Sequence, residues 1–349
     1  MNIEELIAIG REDGLSDIHL TAGLPPQGRK DGALQSIRDL PPLSDGDCAA
    51  FAEQLLGPDA DRRMAAGEVD HAATLAGVRV RANLYRHQGH TALALRLLND
   101  TIPVLESLGL PPAVSDLPSL QRGIVIVTGE TGSGKSTTLA AILQRINETR
   151  PDHLLTLEDP IEYVYTPARC LIHQREIGPD TGSYAAGLRA ALREDPDVLL
   201  IGEMRDLDTI ETALTAAETG HLVFATLHTF SAADSIDRIV DAFPSDRQRQ
   251  IRTQLSMTLQ AVLSQQLVPR IGGGRAAACE VMVMTPAIRN LIREGKTPQI
   301  VNAMTTSGAQ GSVTMDNALL NLYKRRIITA ETAREAARDP EYVKKNTMF

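Results

Sequence analysis

The residues of this chain best suited to chemistry form a glycine-rich loop at positions 129–136, with the sequence Gly-Glu-Thr-Gly-Ser-Gly-Lys-Ser. The loop fits the pattern G-x-x-x-x-G-K-[ST], whose backbone N–H groups close around phosphate oxygens. Lys135 is expected to reach the β and γ phosphates of a nucleotide, and the Ser136 hydroxyl to bind Mg²⁺. The predicted nucleotide-binding residues here are Gly129, Thr131, Gly132, Ser133, Gly134, Lys135, Ser136 and Thr137.

Carboxylates follow two apolar runs that predict strands. Glu203 directly follows the run 198–202, where it could position the attacking water, accept its proton, or hold Mg²⁺ through water. The alternative for Glu203 is a surface carboxylate that caps the next helix. Glu158, Asp159 and Glu162 follow an earlier run, where one could activate water and another could contact ribose or a Mg²⁺-bound water. Because turns favour Asp and Pro, an ordinary turn explains the same residues.

Two histidines, His221 and His228, bracket a further apolar run at residues 222–227. His228 could donate to a γ-phosphate and so sense whether that phosphate is present. Each histidine could equally be a structural residue whose partners lie inside the fold. The chain lacks the H-E-x-x-H spacing of zinc enzymes, and we expect no zinc site.

The elements that must position these groups alternate between strand and helix. The run 124–128 predicts a buried strand before the loop, and residues 137–143 have helical spacing after it. Further strands are predicted at 154–157, 198–202 and 222–226. This alternation indicates an α/β domain with a mainly parallel sheet, whose strand ends gather ligand-binding residues. Beyond about residue 230 the pattern predicts mostly helices, with one last strand at 280–283.

The first 98 residues predict a smaller α+β domain. Its predicted elements are helices over 3–14 and 44–66 and strands over 16–20, 78–84 and 93–97. Arg81 and Arg96 lie on the polar faces of two strands, where solvent-exposed arginines are ordinary. Residues 99–118 contain four prolines and predict an inter-domain linker. The second domain is therefore expected to span 119–349.

Composition limits the partners that we expect. Of the 349 residues, 35 are Lys or Arg and 44 are Asp or Glu, which gives a net charge of −9. Aromatic residues make up 3%, fewer than in proteins that stack nucleic-acid bases. Both observations argue against nucleic acid as the main substrate. Three dispersed cysteines fit a reducing cytoplasm. No apolar run has membrane-spanning length, so if the protein works at a membrane, we expect another protein to hold it there.

Four segments of the chain resemble the Walker A, Asp, Walker B and His boxes of the secretion ATPase superfamily, which serves type II secretion and type IV pili. The matching segments, in the same order, are residues 129–138, 157–162, 192–206 and 218–229. Residues 287–294, Ala-Ile-Arg-Asn-Leu-Ile-Arg-Glu, are similar to the AIRNLIRE motif of the retraction ATPases in this superfamily. The resemblance covers nearly the whole chain, including residues 16–20.

This resemblance implies a hexameric ATPase with a PAS-like N-terminal domain, followed by a RecA-like P-loop domain that has a helical C-terminal part. ATP and Mg²⁺ are the implied cofactors, and ATP hydrolysis would drive domain rotation. The implied work is retraction of type IV pili, and so twitching motility. The implied partners are further copies of the chain in a homo-hexamer and an inner-membrane pilus platform protein.

The resemblance also implies roles for single residues. They are a Walker B glutamate at Glu203, a catalytic carboxylate of the Asp box at Glu162, a His-box sensor at His228 and a second one at His221. Arg81 and Arg96 match arginines of the family's N-terminal domain that reach the phosphates. Such arginines stabilise the charge of the transition state.

Three local features refine the assignment. Many pilus-extension and type II secretion relatives carry a paired-cysteine zinc element after the His box, whereas this chain has only Cys279 there. Position 130 is Glu, where the family's loop usually has Pro. In the helix predicted from Pro286, Arg289 and Arg293 lie off the apolar stripe. The spacing fits a packed helix with a solvated rim as well as a partner-binding helix, and the family motif favours a role in retraction.

Two other functions stay open on the sequence. A regulatory paralogue could bind ATP and join a ring with little hydrolysis of its own. A related motor could serve secretion or DNA uptake, because those machines share the same boxes and differ in what they dock to. An enzyme is favoured over a regulatory paralogue by the complete set of chemical groups, Lys135, Glu162, Glu203 and His228.

Overall fold

The computed structural model describes residues 1–30, 32–98 and 101–347. Its residues separate into two units, each with its own sheet and its own hydrophobic core. The first unit comprises Met1–Thr101 with Pro160–Val164, and the second comprises Ile102–Asp159 with Tyr165–Phe349. The predicted linker begins at residues 99 and 100, which lie outside the described residues.

An antiparallel sheet with helices packed on it forms the first unit. Its strands are β1 (Asp17–Leu20), β2 (Gln27–Lys30), β3 (Ala33–Ser36), β4 (Glu68–Leu75), β5 (Val78–His87) and β6 (His90–Leu97). They form a six-stranded sheet in the order β3-β2-β1-β6-β5-β4. The helices of this unit are α1 (Ile3–Glu12), α2 (Asp45–Leu56) and α3 (Ala60–Arg63).

Alternation along the strands of the first unit decides which face is buried. In β5, Val80 and Ala82 are buried and Arg81 between them is exposed, because successive side chains point to opposite faces. Val80 shares one core with Ile7 of α1 and Phe51 of α2. The other face of the sheet therefore carries polar groups.

The helix predicted over 44–66 is wrong in its extent, because two helices take its place. α2 ends at Leu56, where Gly57 at φ 81° and then Pro58 stop it. α3 then begins at Ala60. The sequence interpretation also missed β3 and β4, since β3 is exposed along its whole length and β4 is nowhere fully buried.

The second unit is built on a seven-stranded sheet. Its strands are β7 (Gly123–Thr128), β8 (His153–Glu158), β9 (Leu171–Glu176), β10 (Val198–Ile201), β11 (Leu222–Leu227), β12 (Leu259–Pro269) and β13 (Arg275–Val283). Their order is β13-β12-β7-β11-β10-β8-β9. Only the β12–β13 pair is antiparallel among these described strands. The buried strands β7, β10 and β11 are typical of a parallel sheet covered on both faces, which confirms the α/β prediction.

Helices connect the strands of the second unit and make up its C-terminal part. They are α4 (Lys135–Thr149), α5 (Tyr184–Ala191), α6 (Leu207–Glu218), α7 (Ala232–Asp241), α8 (Gln248–Thr258), α9 (Pro286–Arg293), α10 (Ile300–Thr306), α11 (Met315–Lys324), α12 (Ala330–Glu335) and α13 (Pro340–Thr347). Short 3₁₀ helices cover Leu105–Leu108, Pro112–Ser119, Thr297–Gln299 and Gly308–Gln310. Over the described ranges, no helix has the length and apolar character that crossing a membrane requires.

The mostly helical pattern predicted beyond residue 230 is wrong for residues 259–283, which form the long hairpin β12–β13. Only 280–283 was predicted as a strand. The polar residues Ser264, Gln265 and Gln266 interrupt the apolar run of β12, so the sequence does not show the continuous pattern of a buried strand.

Candidate nucleotide-binding site

Four parallel strands of the second unit place their carboxyl ends at one edge of the sheet. The phosphate loop follows β7, Glu158 ends β8, Glu203 lies just after β10, and His228 follows β11. The strands pair in the order β7-β11-β10-β8. Ligands of open α/β sheets bind in the crevice outside such strand ends. The structure therefore gathers the phosphate loop, Glu158, Glu203 and His228 at one edge.

Two glycines of the phosphate loop are required by what lies beneath them. Gly129 has φ 139°, and a Cβ there would lie 2.2 Å from the backbone oxygen of Gln265. Gly134 has φ 92°, and a Cβ there would lie 2.7 Å from Nε2 of the same Gln265. A side chain at position 129 would push the loop away from β12, and one at position 134 would displace the end of the Gln265 side chain. The loop thus rests directly on the neighbouring strand.

Gln265 is a functional residue that sequence reasoning missed. Its side chain is buried, at 4% exposure, and Oε1 accepts a hydrogen bond of 2.8 Å from Thr138 Oγ1 of α4. Gln265 therefore supports both the loop and the first turn of the helix that follows. A signal was present, because the polar Gln265 lies inside an otherwise apolar stretch of β12, but nothing local to that stretch indicates a contact with the loop.

The ammonium group of Lys135 lies inside the phosphate loop. Lys135 is only 9% exposed, and Nζ donates to the carbonyl oxygens of Gly129 at 2.7 Å and Glu130 at 2.9 Å. These bonds fix the positive charge at the centre of the loop, at the N-terminus of α4. Such an N-terminus attracts anions, and the lysine adds a full positive charge.

Ser133 supports the fit of this loop to phosphate. Its Oγ is buried and, among the described residues, has no hydrogen-bond partner. A buried hydroxyl without a partner is costly, and a phosphate oxygen would accept its proton. Ser136 is exposed and Thr137 half-buried at the start of α4, so the Ser136 hydroxyl is accessible to a metal ion.

Glu203 is held by two basic side chains at the same edge. Its Oε1 lies 2.7 Å from Nε of Arg205 and 3.2 Å from Nε2 of His228, and 17% of its side chain is exposed. Burial raises the pKa of Glu203, but the hydrogen bond from Arg205 and the charge of His228 outweigh it and lower the pKa below its usual value. Glu203 is therefore an ionised carboxylate with a fixed orientation, suited to orienting a water molecule. Arg205 was not predicted, although it lies two residues after Glu203.

The backbone around Glu203 is tied to its neighbours. Thr226 Oγ1 of β11 donates to the Gly202 carbonyl, and the Met204 amide donates to the Thr226 carbonyl at 3.1 Å. Gly202 also lies close to Tyr184, since a Cβ at this glycine would be 2.8 Å from Oη. Burial raises the pKa of Tyr184, and the carboxylates at this edge raise it further, so it stays a neutral phenol.

The three carboxylates of the 158–162 turn have different surroundings. Glu158 Oε1 accepts hydrogen bonds from Thr156 Oγ1 at 2.6 Å and from Gln174 Nε2 at 3.2 Å, so it is tied to its own strand and to β9. Asp159 is exposed at the end of β8. Glu162 is also exposed, and it belongs to the segment Pro160–Val164 of the first unit.

The structure separates His221 from the phosphate loop. His221 precedes β11, so it lies at the amino end of a strand whose carboxyl end carries His228. At about 3.3 Å per residue, six residues of strand place the two histidines on the order of 20 Å apart. Nδ1 of His221 lies 2.9 Å from the Ala216 carbonyl oxygen, at the end of α6. Within this unit His221 therefore has a structural contact, and its role in nucleotide binding stays a prediction.

In the first unit, the two predicted arginines lie side by side. Arg81 of β5 and Arg96 of β6 are register partners, and Arg96 is also opposite Asp17 of β1. Nε of Arg96 lies 3.0 Å from Asp17 Oδ1, with 66% of the arginine side chain exposed. One carboxylate thus accompanies two exposed guanidinium groups, which leaves a positive surface suited to an anion.

The arginines of α9 differ from each other, and only Arg293 fits the alternative of a solvated rim. Arg289 is half-buried, and its Nη1 donates to the carbonyl oxygens of Ser256 at 2.7 Å and Met257 at 3.2 Å. These carbonyls belong to the last turn of α8, so Arg289 caps that helix. Burial lowers the pKa of Arg289. Arg293, one turn later, is exposed.

Known proteins resemble this chain over nearly its whole length. A family model described as Type II/IV secretion system protein matches residues 77–338. The type IV pilus retraction ATPase PilT of Pseudomonas aeruginosa is 47% identical over 98% of this chain and 99% of that protein. A crystal structure of the pilus retraction motor PilT with bound ADP is 48% identical, covers 99% of both chains and has a TM-score of 0.93. The ATPase DotB of Legionella pneumophila is 29% identical, with a TM-score of 0.80 over 96% of this chain and 95% of that one.

The likeness to the PilT structure confirms the predicted fold class, a PAS-like α+β domain followed by a RecA-like P-loop domain with a helical C-terminal part. The similar structure contains ADP. The family model that matches residues 77–338 of this chain covers its phosphate loop, Glu203 and His228. Among the residues that the structure describes, no group of three or more His, Cys, Asp or Glu is arranged to hold a metal ion.

Proposed function

We infer that this chain, which belongs to the type II/IV secretion system protein family, is an ATPase and the motor of type IV pilus retraction, and so of twitching motility. The observation that carries the inference is the 47% identity to a pilus retraction ATPase over 98% of this chain and 99% of that protein. The geometry supports it, because a phosphate loop and a carboxylate held by two basic groups lie at one edge of a parallel sheet.

The phosphate loop would bind the β and γ phosphates of ATP. Its backbone amides, the Lys135 ammonium and the Ser133 hydroxyl supply donors at the N-terminus of α4. Ser136 and Glu203, the latter through water, would hold Mg²⁺, which supplies charge neutralisation at the phosphates. Because Lys135 donates to two loop carbonyls, its ammonium group is held within the loop.

Hydrolysis needs a water that attacks the γ-phosphate and a group that takes its proton. Glu203 is ionised and oriented by Arg205 and His228, so we assign it the positioning of this water. His228 would sense the γ-phosphate, because its ring already contacts the carboxylate that acts there. Loss of the γ-phosphate would then be transmitted through the Glu203–His228 pair to the loop that follows β11.

Three further roles rest on the family resemblance. Glu162 would be the catalytic carboxylate of the Asp box, and Arg81 and Arg96 would stabilise the charge of the transition state. The exposed, paired arrangement of the two arginines supports this assignment. We propose 1–98 as the PAS-like domain that carries them, 99–118 as the linker and 119–349 as the ATPase domain.

The working form would be a homo-hexamer in the cytoplasm, docked on an inner-membrane platform protein of the pilus. The solved relative covers 99% of both chains at a TM-score of 0.93, so no large insertion separates this chain from a retraction motor. The 287–294 segment, which forms most of α9, supports retraction over the other motors of the family.

Steady-state ATP hydrolysis of the purified protein with Mg²⁺ tests the enzyme, with oligomer mass recorded in the same samples. Turnover by a hexamer-sized particle is the expected result. ATP binding without turnover would overturn the proposed motor function and would favour a regulatory paralogue. A second arm expresses the chain in a piliated bacterium that lacks its retraction ATPase. Restored twitching is expected, and turnover without restored twitching would favour a secretion or DNA-uptake motor.

A further inference from the structure

A row of polar side chains crosses three neighbouring strands beside the phosphate loop. Thr128 of β7 is the register partner of Ser264 of β12, and Ser264 is the partner of Glu280 of β13. Their exposures are 0%, 1% and 2%. Polar groups are rarely buried without hydrogen bonds, and a buried carboxylate is the costliest of the three. The partners of this polar row therefore indicate what it holds in place.

The polar row binds the backbone that follows His228. We call residues 228–231, between β11 and α7, the 228–231 loop. Three hydrogen bonds tie this loop and the first helical residue to the row: Thr128 Oγ1 to the Thr229 carbonyl at 2.6 Å, Ser264 Oγ to the Phe230 carbonyl at 2.6 Å, and the Ala232 amide to Glu280 Oε1 at 2.9 Å. The loop is thus fixed at successive positions directly after the residue that contacts Glu203.

Glu280 also binds the C-terminal helices. Its Oε2 accepts from the Met315 amide, the first residue of α11, at 3.2 Å. One carboxylate therefore meets the positive N-terminal ends of two helices, α7 and α11. The same Oε2 lies 3.0 Å from Nη1 of Arg338, which follows α12. These contacts explain how a buried carboxylate is accommodated here.

Arg338 completes the connection between the helices and the loop. Its Nη2 donates to the Phe230 carbonyl, which also accepts from Ser264. Its backbone amide donates to Asp316 Oδ1 of α11 at 2.8 Å, so the arginine is anchored to the C-terminal helices. Arg338 also borders a cavity of about 200 Å³ that touches Gly129 and Glu130 of the phosphate loop.

We propose that Glu280 and Arg338 are positioning residues for hydrolysis, which hold the 228–231 loop so that His228 contacts Glu203. The proposal rests on the ATPase function proposed above. It makes the rate of hydrolysis depend on the placement of α11 and α12, although neither helix carries a catalytic group. Movement of these helices would release the Phe230 carbonyl and the end of the loop. The C-terminal helical part is then a control element of the ATPase.

Arg338→Gln tests the proposal by its effect on turnover rather than on nucleotide binding. The variant keeps the three bonds of the polar row but loses the charged contact to Glu280 and Phe230. A misplaced catalytic group lowers turnover strongly, so we expect kcat to fall by about tenfold or more while KM for ATP stays within about twofold. Arg338→Lys keeps the positive charge but cannot contact Glu280 and the Phe230 carbonyl through two separate nitrogens. It should therefore recover part of the loss in kcat.

Arg334→Gln is the matched control. Arg334 is an exposed arginine of α12 whose Nε donates only within its own helix, to the Ala330 carbonyl at 3.2 Å. It should keep the parental kcat. Oligomer mass and thermal unfolding of all variants identify any that fail to fold. A folded Arg338→Gln variant with unchanged kcat, or with kcat and KM altered as in Arg334→Gln, overturns the proposal.

The effect of Arg338 should pass through His228, and a double variant tests this. In a His228→Ala background, Arg338→Gln should change kcat by less than about twofold, because the group that it positions is already absent. If the two substitutions lower kcat independently, so that their fold-losses multiply, the proposal that Arg338 acts through His228 is overturned.

Hydrogen exchange gives a readout that does not depend on activity. The backbone amides of residues 229–232 should exchange faster in Arg338→Gln than in the parent or Arg334→Gln. Unchanged exchange overturns the positioning role. A parent protein that lacks turnover but shows this difference in exchange would instead overturn only the proposed ATPase function.

Discussion

In the seven-stranded sheet, the side chains that could do chemistry lie at strand ends, whereas in the six-stranded sheet they lie along an exposed face. β7, β10 and β11 are buried on both sides, and the ionisable groups Glu203 and His228 follow β10 and β11 rather than lying within them. Arg81 and Arg96 instead alternate with buried residues within β5 and β6. In the seven-stranded sheet, the chemical side chains therefore meet at one edge. In the six-stranded sheet, Arg81 and Arg96 cannot be distinguished by position from the other polar residues of the exposed face.

This difference shows when the position of a polar residue in a sheet is evidence for a functional role. An edge position in a buried parallel sheet is informative, because the fold offers few other places for a polar side chain. A position on an exposed sheet face is not, because most of its neighbours are polar for reasons of solvation. Variants of the two regions should therefore have different effects, and the following experiments test that difference.

The largest effect is expected at the strand edge. Glu203→Gln removes the oriented carboxylate that positions the attacking water, and turnover should fall by about 10²- to 10⁴-fold, as for loss of a group in acid–base catalysis. Binding of ATP, measured by titration calorimetry, should persist because the phosphate loop is intact. Glu331→Gln, an exposed carboxylate of α12, is the control. Loss of both binding and turnover, or of neither, would contradict the assigned role.

A smaller loss of activity is expected on the exposed face. Arg96→Ala should lower turnover by about 10²-fold if this arginine stabilises the transition state. The free energy of unfolding should change by less than about 1 kcal/mol, since exposed ion pairs contribute little. Arg62→Ala, which removes an exposed arginine paired with Asp59, is the comparison. Unchanged turnover in Arg96→Ala would show that Arg96 is an ordinary solvent-exposed residue with no role in catalysis.

Substitution of Gln265, beneath the phosphate loop, should affect both the stability of the fold and the binding of ATP. Gln265→Ala leaves Thr138 without its acceptor and removes the support of α4, so unfolding should become easier by about 1–3 kcal/mol. KM for ATP should rise. Gln266→Ala also removes a bond, to the Ala336 carbonyl at 3.0 Å, but the partner in that bond lies outside the loop, so KM should stay unchanged. Equal KM effects in both variants would show that Gln265 acts through general stability.

The smallest effect is expected in α9, where two similar arginines lie one turn apart. Arg289→Ala removes the cap of α8 and should lower the free energy of unfolding by about 1–2 kcal/mol, as measured by urea denaturation. Arg293→Ala should leave stability unchanged because the side chain is exposed. If α9 docks a partner through its exposed face, Arg293→Ala should lose twitching while it keeps ATPase turnover.

The sequence was sufficient for the parts of the site that are local. The phosphate loop, Glu203 and His228 each follow a short apolar run, and the order of such runs predicts a parallel sheet. Gln265, Glu280 and Arg338 could not be found in this way, because their partners lie far along the chain at Thr138, Ala232 and Phe230. Their contacts arise only after β12 and β13 pair beside β7.

Sequence patterns also do not distinguish positions that the tertiary structure separates. His221 and His228 flank one strand and look equivalent in sequence, but the two ends of a strand lie at opposite edges of its sheet. The helix predicted over 44–66 has continuous helical spacing, yet the left-handed backbone at Gly57 divides it. β12 was missed because its buried polar residues bond to other elements. Local patterns do not record such tertiary contacts.

The two glycines above Gln265 have different genetic consequences. At Gly134 the obstacle to a Cβ is the end of the Gln265 side chain, so shortening that side chain to alanine should partly suppress Gly134→Ala, while the backbone strain of a non-glycine residue at φ 92° stays. At Gly129 the obstacle is the backbone oxygen of Gln265, which every residue at position 265 retains. No replacement at 265 can therefore rescue a substitution at 129. In a saturation library, position 129 should stay glycine in every genetic background.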